Sequence, residues 1–112
     1  MKPATTEWVK KAEGDFLTAG REVRARKSPN YDAVCFHSQQ CAEKYLKAIL
    51  QENDKPIPKI HNLVELMLLC EEVDSIFEML RADLVTMERY ACADVTLARR
   101  QKKMTLDLPT PQ

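Results

Sequence analysis

The stretch from Asn30 to Gln51, NYDAVCFHSQQCAEKYLKAILQ, restricts the fold more than any other part of the chain. It contains no Gly or Pro and is rich in Ala, Leu, Lys, Glu and Gln, which lose little side-chain entropy in a helix. At about 100° per residue, Val34, Ser38, Cys41, Ala42, Tyr45 and Ile49 fall on one face, flanked by Cys35, Leu46, Ala48 and Leu50. Gln40, Glu43, Lys44, Lys47 and Gln51 form a narrow polar stripe opposite, with His37 at its boundary. So wide an apolar side exceeds what a surface helix presents to one neighbour, and the stretch is expected to be the central helix of a bundle. Packing alone does not select the polar stripe. Any function starts there.

A chain of 112 residues has room for one core, so residues 1–104 are expected to form a single helical domain, with 105–112 as a mobile C-terminal tail. Lys plus Arg and Asp plus Glu balance at 17 each. Zero net charge argues against a general duplex-binding protein, while a local basic patch stays open. No apolar run approaches the roughly 18 residues that cross a bilayer, and the N-terminus lacks the apolar segment of a signal peptide. Cys35, Cys41, Cys70 and Cys92 form no CxxC. A reduced, cytoplasmic chain is the simplest reading.

In chain order, Thr5 or Thr6 can cap a first helix running to about Lys27, with Glu7 in its first turn. Its stripe is Trp8, Ala12, Phe16, Ala19 and Val23, and Asp15 projects into the middle of it. A carboxylate there must be paired, hydrogen-bonded or set at an opening in the bundle. It is either a structural tie between helices or a site residue. Ser28-Pro29-Asn30 ends this helix and starts the next, making the two antiparallel neighbours. ENDKPIPKI is a loop, because its prolines cannot sit in a helix interior.

His61-Asn62 opens a third helix, from Leu63 to about Glu72, with apolar side chains nearly all round it. It is either deeply buried or packed against another subunit. Ser75-Ile76-Phe77-Glu78 has the capping-box pattern for a fourth helix, whose buried stripe is Ile76, Leu80, Leu84, Met87 and Ala91, with Phe77 beside it. A short basic helix is expected from Leu97 to Met104. The fold class is therefore all-α, a four-helix up-down bundle with a short extra C-terminal helix. Leu17 and Phe36 point away from the buried stripes, and with the third helix they predict a homodimer.

The chain has no glycine-rich phosphate loop. His37 and Cys41 share a helix face but Cys35 does not, and zinc needs three or four ligands. Neither a metal nor another cofactor is expected. What remains is a distributed polar set: Asp15, the stripe Gln40/Glu43/Lys44/Lys47, His61 at a helix start, and Arg89-Tyr90 near a helix end. Each member also has an ordinary structural role. A Lys/Glu stripe is usually a solvated face held by i, i+4 pairs, and Arg89-Tyr90 can snorkel at a bundle end.

Taken together, these residues resemble a known family. Trp8, Ala12, Asp15, Phe16 and Ala19 resemble the opening of HEPN domains. YDAVCFHSQQCAEKYLKAIL resembles their second helix, with Gln39, Gln40, Glu43, Lys44, Lys47 and Ala48 in the pattern QQ-x2-EK-x2-KA. His61, Asn62, Leu63 and Leu66 follow, then Arg89 and Tyr90, over roughly residues 7–91. The resemblance implies an all-α bundle that commonly dimerises and is often paired with a small nucleotidyltransferase, frequently as a toxin–antitoxin module. Many HEPN domains cleave RNA without metal through an Arg-x4-6-His motif. Here Arg89 is followed by YACADVTLARR, without histidine.

Two functions from different classes follow. The first is a non-catalytic module binding a nucleotide, RNA or the nucleotidyltransferase, with Asp15, Gln40, Lys44, Lys47, His61, Arg89 and Tyr90 as the ligand-binding set. Lys44, Lys47 and Arg89 would neutralise phosphate, and Gln40 and Tyr90 would orient a base or ribose. The second is a divergent ribonuclease with His61 as general acid/base and Arg89 or a lysine stabilising the developing charge. The missing motif puts the binding module ahead.

Overall fold

The structure, a computed structural model, describes residues 1–25, 27 and 30–89. Helix α1 spans Pro3–Val23, α2 Tyr31–Glu52 and α3 Leu63–Glu71; a 3-10 segment, Ser75–Leu80, leads into α4, Arg81–Arg89. Among the described residues there is no strand, and the all-α bundle expected from periodicity is what forms. No helix among them is long and apolar enough to cross a membrane. The Ser28-Pro29 start signal, Ala91, Cys92, the helix expected over Leu97–Met104 and the tail 105–112 lie outside the described residues.

Helix α2 is central, as its sequence predicts. Asn30 caps it, the side chain accepting from the Ala33 N–H at 3.0 Å. At the other end Lys55 N–H donates to Leu50 C=O at 2.9 Å and Asp54 N–H to Gln51 C=O at 3.3 Å. That is the pattern of a Schellman stop, with Asp54 in the left-handed region at φ 57°. Thr5, near the start of α1, donates to Glu52 at the end of α2, so the two helices run antiparallel.

After the loop 53–62, His61 reaches Glu43 of α2, and Cys70 near the end of α3 reaches Leu46. Helix α4 returns antiparallel to α3, with Glu88 at the start of α3 and Met87 beside Gln39. Leu46, Leu50, Leu63, Leu66, Met67, Cys70 and Leu84 form the apolar core on this side of α2. Helix α3 resolves its two alternatives mainly toward burial, with Leu68 alone among its leucines 42% exposed.

Three local expectations are corrected. Thr5 and Thr6 lie inside α1 rather than capping it; Lys2 is the cap residue and Pro3 occupies the first turn, where its missing N–H costs nothing. Phe16 is 67% exposed, because Ala12, Asp15 and Ala19 take the inward positions. The capping box at Ser75 does not form. Asp74 caps the segment instead, its carboxylate accepting from Ile76 N–H at 3.0 Å, and a 3-10 turn precedes the α-helix. Ile76 and Leu80 are consequently exposed, and Leu84 is the buried anchor of α4.

Met67 and Leu68 are adjacent but opposite in burial. Met67→Ala is expected to cost about 3 kcal/mol in urea unfolding, and Leu68→Ala to stay within about 0.5 kcal/mol. Equal losses would contradict this placement of α3.

Candidate functional site

The polar stripe of α2 does not face solvent. Glu43 is 5% exposed and Lys47 6% exposed, as buried as the leucines beside them. Helix α1 covers this side with small and polar residues: Thr5, Ala12, Asp15 and Ala19 are its buried positions. Small side chains let the two backbones approach, and the charges trapped between them must then be paired.

Two charged clusters, sharing no residue, meet that demand. In the first, Asp15 accepts from His37 Nδ1–H at 2.7 Å and from Lys44 Nζ at 2.5 Å. Burial pushes the Asp15 carboxyl up, but the hydrogen bonds from Lys44 and His37, with their charges, outweigh it and hold the group below its ordinary value. In the second, one Glu43 oxygen accepts from Lys47 Nζ at 3.2 Å and the other from His61 Nδ1–H at 2.9 Å. The Lys47 ammonium also stands 5.8 Å from the centre of the Trp8 ring, within cation–π range.

His61 opens the second cluster to solvent. Its side chain is 80% exposed although its partner Glu43 is buried. It stands at the rim of a cleft of about 330 Å³, lined by Gln39, Gln40, Glu43, His61, Leu63 and Glu88. Gln39 is fixed by donating Nε2–H to Met87 C=O at 2.7 Å. Glu88 accepts from the Leu63 N–H, placing a carboxylate at the positive end of α3. Asn62 caps the same helix by accepting from Glu65 N–H at 2.9 Å. Both interactions fix the backbone around His61.

The residues of the expected ligand-binding set are thus found in separate places. Gln40 and His61 line the cleft. Asp15 and Lys44 hold each other in a separate cluster, and Lys47 lies inside the protein with its charge satisfied by Glu43. Arg89 is exposed at the end of α4 and does not line the cleft. Tyr90 lies outside the described residues. Conversely, Glu43, Gln39, His37 and Glu88 are absent from the expected ligand set. The Glu43–Lys47 spacing of four is visible in the sequence, whereas nothing local marks Glu88 as the partner of a helix start 25 residues earlier.

A small all-α domain with a polar seam on one side of its central helix and an apolar core on the other is the class this geometry defines. The profile of the HEPN domain matches residues 5–94, and the chain belongs to the HEPN family. No curated protein and no solved structure matches it.

Removing Asp15 leaves Lys44 and His37 without their carboxylate. Asp15→Ala is expected to cost about 3 kcal/mol at neutral pH, the low end for a broken buried pair because both partners keep some solvent contact. Because the folded carboxyl titrates below its unfolded value, Asp15 stabilises the fold above about pH 4. That contribution is lost as pH falls through the folded value. Urea unfolding near pH 7 and near pH 3 should show the mutational cost shrinking in acid; a constant cost would contradict the pairing.

Proposed function

We propose that this HEPN domain is a non-catalytic binding module whose cleft between α2 and the start of α3 holds a nucleotide, or one nucleotide unit of an RNA. The observation that carries this reading is the composition of the cleft: the Gln40 amide, the exposed His61 imidazole, two carboxylates and Leu63 around about 330 Å³. That volume is near the lower end for small-ligand sites, about 300–1,000 Å³, and suits one nucleoside better than a duplex. A glutamine amide offers a donor and an acceptor to a base edge. An imidazole can stack on a base or meet a phosphate. Lys44 and Lys47 support this site through the framework, being engaged by Asp15 and Glu43.

The module acts, in this reading, as a homodimer beside a small nucleotidyltransferase in a toxin–antitoxin-type pair. Dimerisation is supported by Phe16, Leu17 and Phe36, which are 67%, 53% and 50% exposed. The partner and the paired setting rest on membership in the family. A second reading, a metal-independent ribonuclease, is favoured by one observation: His61 is backed by a buried carboxylate, as a general acid/base is. Against it stands the missing arginine–histidine motif.

Calorimetric titration with mononucleotides and a short single-stranded RNA tests the binding reading. Gln40→Ala should weaken binding about tenfold, a lost charged or bidentate contact being worth roughly 1–3 kcal/mol, and Lys44→Ala should change affinity little. RNA incubated with the protein and a chelator should remain intact. Cleavage that disappears in His61→Ala would establish the second reading instead.

A further inference from the structure

A buried carboxylate that holds an exposed histidine is an uncommon way to use interior charge. Glu43 could satisfy Lys47 alone, as an ordinary i, i+4 pair. Instead its two oxygens are divided, Oε2 to Lys47 Nζ at 3.2 Å and Oε1 to His61 Nδ1–H at 2.9 Å. The hydrogen bond fixes which imidazole nitrogen faces inward. Nε2 then lies on the far side of the ring, at the exposed rim of the cleft. With both ring nitrogens protonated, Nδ1–H goes to Glu43 and Nε2–H is a charge-assisted donor for an anionic oxygen. The other described cleft groups, Glu88 and the two glutamine amides, supply no cation, so among the described lining residues His61 alone can carry positive charge.

Resting on the binding reading above, we infer that Glu43 is the positioning residue of the cleft, holding His61 so that its Nε2–H receives the phosphate of a nucleotide while the Gln40 amide meets the base. Lys47 stabilises the Glu43 carboxylate from the interior, with Trp8 over its ammonium. Among the described residues, the charged groups around His61 are Glu43 from α2, Lys47 behind it, and Glu88 from α4. The ligand class is a nucleoside monophosphate, recognised by its anionic end at the rim and its base within.

Adenosine and its 5′-monophosphate separate the two contacts, because an amide side chain can read the adenine edge alone. Calorimetry with the full chain near neutral pH should show the monophosphate binding about tenfold tighter than the nucleoside. His61→Gln should abolish the advantage. Glu43→Gln removes the support of a buried lysine and can unfold the domain, so the companion variant is Glu43→Gln/Lys47→Met, which leaves no buried charge unpaired. It should retain the circular dichroism of the parent and adenosine binding, yet lose most of the monophosphate advantage. Retention of the full advantage in that double variant would overturn the role of Glu43. Equal binding of adenosine and its monophosphate by the parent would overturn the phosphate contact while leaving the binding module intact. Binding of neither would overturn the module itself and this inference with it.

Discussion

The architecture depends on how the chain neutralises the carboxylate of Glu43. At 5% exposure it cannot remain ionised without partners, and it finds them within its own helix and at the start of α3. That division ties the central helix to the loop that leads into the next one. It also fixes His61 at the edge of the cleft. One buried charge therefore links the stability of the bundle to the geometry of the exposed imidazole at the cleft rim.

The two sides of α2 are held by different physics. Toward α3 and α4 the contact is apolar: Leu46 and Leu50 meet Leu63, Leu66, Met67 and Cys70. The Cys70 thiol, pushed up to about 11 by burial, donates to Leu46 C=O at 3.5 Å and behaves as part of that core. Toward α1 the contact is small and polar, with Ala12 and Ala19 spacing out Asp15 and its partners. Buried ion pairs stabilise less than well-packed apolar groups do, because desolvation offsets much of the attraction. They do impose register: sliding α1 by one turn along α2 would separate Asp15 from both Lys44 and His37, leaving buried charges unpaired.

Helix existence and the central role of α2 were legible because each rests on periodicity over many residues, whereas an all-round apolar third helix left burial and a subunit contact equally open. The inward direction of Asp15 was legible too, and so was the need to pair it. What sequence could not reveal was which side of α2 its polar stripe would meet. A Gln/Glu/Lys/Lys stripe has the same local pattern whether it faces water or a second helix, and the deciding feature, the small residues of α1, lies elsewhere in the chain. The start of the fourth helix was misplaced for a local reason, since Asp74 captured the cap ahead of Ser75 and a 3-10 turn precedes the α-helix. Glu88 was invisible because its partners, the first N–H groups of α3, are backbone atoms with no sequence signature.

The central claim is that Glu43 and Lys47 form an interior pair on which the framework and cleft rely, and a double-mutant cycle tests it most directly. Glu43→Gln, Lys47→Met and the double variant would be compared by urea unfolding at neutral pH. The account predicts that each single change is strongly destabilising, that the double variant is more stable than either, and that the coupling energy is about 2 kcal/mol. Single changes near neutral that add to within about 0.5 kcal/mol would mean a solvated stripe, and would contradict it.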